Sequence, residues 1–84
     1  MQAISRTERR AIAEAVSQLP DDDHNIDDYA PKVIAIFDGM DAFAFRAIDD
    51  AIGNAAPEFR THGYMVRRVR NHPTWGRKLF AALK

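Results

Sequence analysis

Pro20, Gly39, Gly53 and Pro73 interrupt this chain at spaced intervals, and between them the apolar residues recur every three or four positions. A proline inside a helix removes a donor and clashes with the preceding turn, and a glycine after an apolar run is a natural left-handed stop. The chain is therefore divided into segments that each hold one short helix. A recurrence of three to four is the period of a helix with one buried face, whereas a half-buried strand alternates.

The individual segments carry their own start and stop signals. Ser5 followed by Glu8 forms a capping box, and Ile12, Val16 and Leu19 continue as one stripe, which predicts a first helix over 6–18. Arg10 and Glu14 stand one turn apart on its wet side. The run DDDHNIDD reads as a loop whose aspartates compete for nearby amides. Asp27 or Asp28 is the expected cap of a second helix, with Pro31 in its first turn and Tyr29, Val33 and Phe37 as its stripe. Asp41 is the expected cap of a third, with Phe45, Ile48 and Ile52 inward and Gly53 and Asn54 at its end. A fourth helix starts either at Pro57 or after a Thr61 cap, with Gly63 weakening its early turns. It carries Met65, Val66 and Val69 on its apolar side. Thr74 is expected to cap a last helix with Trp75, Leu79 and Leu83 on one face, in preference to a strand or wing.

These signals predict an all-α fold: one domain over 1–84, a compact bundle of four to five short amphipathic helices, with a helix-turn-helix-like arrangement as an option in the C-terminal half. Phe37, Phe43, Phe45, Phe59, Trp75 and Phe80 are expected to supply most of the core bulk, each contributing on the order of 2–3 kcal/mol. The composition, 46% hydrophobic and 29% charged over 84 residues, is that of a globular chain. With no cysteine, packing alone must hold it. No apolar run approaches the ~20 residues of a membrane span, and MQAISRTERR has no signal-peptide core, so a soluble, cytoplasmic protein is expected.

Little in the sequence points to catalysis. Counted from Asp21, a calcium loop would need glycine at its sixth position and glutamate at its twelfth, where this chain has Ile26 and Lys32. A capping loop is the better reading, with only a weak ion at Asp21, Asp23 and Asp27 conceivable. His24, His62 and His72 lack zinc spacing and have no thiol beside them. Ser5 and Ser17, the only serines, lie on the first helix, and no glycine-rich phosphate loop occurs. A non-enzymatic binding protein with neither cofactor nor metal is the expectation.

Partners are suggested by the charge distribution. The net charge is zero, yet Asp21, Asp22, Asp23, Asp27, Asp28, Asp38, Asp41, Asp49 and Asp50 are opposed over their span only by Lys32 and Arg46, whereas 60–84 holds Arg60, Arg67, Arg68, Arg70, Arg77, Lys78 and Lys84 with no acid. The segment FRAIDDAIGNAAPEFRTHGYMVRRVRNHPTW has a helix with a glycine ending, a turn, and a basic helix. Over 46–75, about a third of the chain, it resembles the helix-turn-helix and winged-helix DNA-binding domains. The turn from Gly53 to Arg60 exceeds the usual three or four residues, which points to the looser, winged form.

That resemblance implies a DNA-binding regulator whose second helix enters the major groove. Arg60, Thr61, His62, Tyr64, Arg67, Arg68, Arg70, Arg77 and Lys78 are the candidate nucleic-acid contacts, because arginine binds phosphate bidentately and reads guanine edges. The alternative is a protein-directed inhibitor or adaptor that occupies the basic groove of a nucleic-acid-handling protein through Asp21, Asp22, Asp23, Asp27, Asp28, Asp38 and Asp41. In size and plainness the chain is similar to small acidic-faced helical proteins of phage and mobile elements, such as the anti-CRISPR class. A monomer, or a homodimer through Trp75 and Phe80, is compatible with either reading. The discriminating feature is whether the arginines stand outward or are neutralised within the molecule.

Overall fold

The structure, a computed structural model, describes residues 4–20 and 25–84. Among these the chain forms five helices and one 3-10 turn: α1 (Arg6–Ser17), α2 (Ile26–Phe37), α3 (Ala42–Gly53), the turn Pro57–Phe59, α4 (Gly63–Asn71) and α5 (Pro73–Ala82). The last segment, expected as a helix in preference to a strand or wing, is a helix, and no strand occurs among the described residues.

The stripes read from the sequence form the core. Val16 and Leu19, Tyr29, Val33 and Phe37, Phe45, Ile48 and Ile52, and Met65, Val66, Val69 and Leu79 are all buried. Helix α4 is central, packing against α1, α2, α3 and α5. Phe37 and Phe45 meet edge to face with ring centroids 5.0 Å apart, the arrangement the aromatic quadrupole favours. Phe59 is buried as well, but Phe43 is 64% and Phe80 50% exposed, and Trp75 is only partly covered. Two of the six expected core aromatics therefore lie at the surface. Phe43 falls off the Phe45–Ile48–Ile52 stripe of α3, and Phe80 covers Phe45 with one edge, at 5.7 Å between centroids.

Several caps differ from expectation. Ser5 caps α1 as read, its hydroxyl accepting from the Glu8 amide and donating to the Glu8 carboxylate. Asp41 caps α3 as read, accepting from the amides of Phe43 and Ala44. The cap of α2 is Asn25, not Asp27 or Asp28, so Pro31 stands in the second turn, where the carbonyl of Asp27 loses its intrahelical donor. Asp27 and Asp28 instead occupy the first turn, where negative charge suits the helix dipole.

Neither candidate start of α4 is correct. Pro57 opens the 3-10 turn, Thr61 makes no cap, and α4 begins at Gly63 after His62 in a left-handed conformation. Gly63 is thus the first helical residue; a Cβ there would press on Phe59 and Ile52 at 3.3–3.4 Å, so it permits close packing. Gly39 takes the expected left-handed conformation after α2. After α3 the left-handed residue is Ala55, with the amides of Ala55 and Ala56 bonded back to Ile52 and Ala51, a Schellman closure made without glycine. Thr74 does not cap α5; His72 does, its Nδ1 accepting from the amides of Thr74 and Trp75.

Candidate functional site

The basic residues of the C-terminal third differ in their surroundings, and two of them are held by a carboxylate within the fold. Arg67 and Arg70, three apart on α4, share a face that meets α3. There Asp49, buried at 5% exposure, lies with Oδ1 3.0 Å from Arg67 Nη1 and Oδ2 2.9 Å from Arg70 Nε. Arg67 also donates to the Asp49 carbonyl, and Arg70 Nη1 donates to Asn71 Oδ1 at 2.9 Å. Isolated burial of a carboxylate is costly, and two guanidiniums that still reach water offset it. In the sequence Asp49 stands out only as one of the nine aspartates of the acidic stretch. Its position beside Ile48 and Ile52, at the edge of the α3 stripe, was the available signal.

The other candidates differ in exposure. Arg60 and Thr61 are exposed in the turn before α4, while His62 is buried. Tyr64 and Arg68 are exposed one helical turn apart, with the Arg68 guanidinium 5.8 Å from the Tyr29 ring centroid. Together with Ile26, Arg67, Asn71, His72 and Pro73 they line a shallow open hollow of about 570 Å³. Arg77 and Lys78 are exposed on α5, and Lys78 Nζ sits 4.7 Å from the centre of the Trp75 ring.

The acidic candidates divide as well. Asp21, Asp22 and Asp23 lie outside the described residues. Asp27 and Asp28 stand exposed at the start of α2, where Asp27 Oδ1 accepts from Trp75 Nε1 at 2.6 Å. Asp38 and Asp41 stand exposed at the far end of this helix, whose 12 residues span roughly 18 Å.

At that far end the chain builds a second hollow, of about 480 Å³, which sequence reading did not find. Glu8, Asp38 and Asp41 form its rim; Ile4, Ile36, Met40 and Ala44 supply apolar surface; Lys84 closes one edge. Glu8 comes from α1, so no spacing along the chain could associate it with Asp38. The walls are tied by backbone bonds: Gly39 donates to the Ala82 carbonyl at 2.8 Å, and Lys84 donates to the Met40 carbonyl at 2.9 Å. The apolar surface is only partly covered by the protein itself, since Ile4, Ile36, Met40 and Ala44 are all of intermediate exposure.

Among the described residues no group of three His, Asp or Glu side chains is placed to hold a metal ion, and no helix is long and apolar enough to cross a membrane. Comparison with family models, curated proteins and solved structures gives no match.

Proposed function

We propose that this chain is a non-enzymatic binding protein that engages a basic surface on a partner protein through the acid-rimmed hollow between α1 and the α2–α3 turn. The observation that carries this reading is the opposite disposition of the two charge sets. Arg67 and Arg70 turn inward onto Asp49, whereas Glu8, Asp38 and Asp41 stand outward around apolar surface that the chain leaves partly uncovered. Apolar contact supplies affinity, and the carboxylate rim favours cationic partners and repels nucleic acid. A groove that normally holds nucleic acid is basic and fits such a surface, so an inhibitor or adaptor of nucleic-acid-handling machinery is the concrete form of the proposal.

Affinity capture from host extract, comparing the wild-type chain with Asp38→Lys, tests it. A partner with a basic surface should be retained by the first and lost by the second. Equal capture by both would remove the hollow from consideration.

A specific observation also favours the DNA-binding reading. Arg60, Tyr64, Arg68, Arg77 and Lys78 are all exposed, and the buried carboxylate holds two further arginines with only one charge neutralised. Its test is a gel shift with random duplex DNA at low salt. Arg60→Ala with Arg77→Ala is the informative variant, because Arg67 also supports Asp49 and its removal would confuse stability with binding. A shift at micromolar protein that this variant weakens, with a flatter salt dependence, would support DNA as the target. No shift would eliminate it.

A further inference from the structure

The corner between α4 and α5 is held by an imidazole used as a helix cap. Helix caps are ordinarily hydroxyls, carboxylates or carboxamides, whose oxygen accepts from the first amides. Here His72 does this work: Nδ1 lies 3.1 Å from the amide nitrogen of Thr74 and 3.1 Å from that of Trp75. Both contacts require a lone pair on Nδ1, so the ring must be neutral with its proton on Nε2. A second proton occupies that lone pair. It also places a positive charge at the helix end where the dipole is already positive.

We propose that His72 is a pH-sensitive latch: protonation of its imidazole releases the first turn of α5 and, with it, the tie between Trp75 and α2. The direction follows from the donor pattern, since acid converts Nδ1 from an acceptor into a donor and the cap is lost as pH falls. Charged groups of both signs surround the ring. From α4, Arg67 and Arg68 line the same hollow as His72, together with Tyr64. From α2, Asp27 reaches this corner only through Trp75 Nε1, and Asp28 stands beside it on the first turn. On α5 itself, Arg77 and Lys78 follow. Among the described residues, Asp27 spends Oδ1 on Trp75 Nε1 and not on the amide of Thr74 or Trp75. The latch does not depend on which partner the protein binds.

Residue-resolved NMR on the full chain tests the latch. At pH 8 the ring nitrogen shifts of His72 should identify Nδ1 as the unprotonated atom. Between pH 8 and pH 5, hydrogen-exchange protection at Thr74 and Trp75 should fall roughly 5-fold, the factor expected for losing one helix cap. The emission of Trp75, the one tryptophan, should shift over the same range. In His72→Asn, whose side-chain oxygen caps without titrating, both responses should be absent. A protonated Nδ1 at pH 8 would overturn the proposal, as would a pH-independent wild type. An acid response that His72→Asn shares, including cooperative unfolding of both proteins, would assign the effect to another group and overturn it too.

Discussion

Asp41 and Asp49 lie about two turns apart on the same helix, and the fold uses them in opposite ways. Asp49 is buried between α3 and α4 with two arginines on its oxygens. Asp41 is exposed, spends one oxygen on the first amides of α3, and shares the rim of a hollow with Glu8 and Asp38. Carboxylates that look alike in the sequence thus divide into one that holds two helices together and others that present charge outward. Substitution at the inner site should change stability, and substitution at the outer site should change recognition.

The largest expected effect tests how tightly the inner cluster depends on its frame. A Cβ at Gly76 would overlap the backbone carbonyl oxygen of Arg70, so α5 can approach the end of α4 only because this position lacks a side chain. Gly76→Ala should destabilise the fold by about 3 kcal/mol, because backbone rather than a flexible side chain must move. Because Arg70 carries the displaced carbonyl, its contact with Asp49 should loosen as well. Chemical denaturation of both proteins measures this, and a loss below about 1 kcal/mol would show that the α4–α5 crossing yields easily.

Asp49→Ala comes next. Removing one member of a fully buried ion pair costs roughly 3–5 kcal/mol. Here both arginines keep 37% of their side-chain surface in water and can be solvated once the carboxylate is gone. The expected loss is therefore nearer about 2 kcal/mol. In a double-mutant cycle with Arg70→Met, the combined loss should fall short of the sum of the single losses. Additive losses would mean that the pair contributes nothing beyond its separate solvation, and the contrast with Asp41 would lose its physical basis.

This contrast also marks where the sequence was legible. Helix positions followed from apolar recurrence and from Ser5, Gly39 and Asp41, because such signals act within one turn of the chain. The start of α4 was not legible. His62 is left-handed, and the mild preference of histidine for that conformation is a weaker local signal than Pro57 or Thr61. The His72 cap was missed because imidazole is an unusual cap and Thr74 nearby is an ordinary one. Phe43 and Phe80 lie at the surface despite their bulk, because phase on the helix and not size decides burial. The hollow at Glu8, Asp38 and Asp41 was invisible for a different reason. It joins α1 to the α2–α3 turn, and only the packed structure brings those segments together. The inward turn of Arg67 and Arg70 depends likewise on a carboxylate eighteen residues before Arg67 and on a crossing between two helices.

Asp41 allows capping and presentation of charge to be separated. Asp41→Ala removes the cap and should cost about 1 kcal/mol, whereas Asp41→Asn keeps an acceptor oxygen and should leave stability within a few tenths of that of the wild type. Both variants lose the negative charge at the rim. If the hollow recognises a basic partner, both should weaken its capture to a similar degree despite their different stabilities. If capture instead follows stability, with Asp41→Asn behaving as wild type, Asp41 acts only as a helix cap.

The smallest effect on stability belongs to Asp38→Lys. Asp38 is exposed at the end of α2 and, among the described residues, has no side-chain bond that ties the fold, so reversal should change stability by under about 0.5 kcal/mol. A lysine there even suits the negative end of the α2 dipole. The same change places a cation on a rim where Glu8 and Asp41 otherwise face only Lys84. It should therefore repel a cationic partner where Asp49→Ala, at greater cost to the fold, leaves the rim untouched. Binding and denaturation curves for this pair of variants form the sharpest comparison: Asp38→Lys should keep its midpoint and lose its partner, and Asp49→Ala should lose midpoint and, below its unfolding transition, keep the partner. The reverse outcome, with Asp38→Lys keeping the partner, would remove the acid-rimmed hollow as the site of recognition.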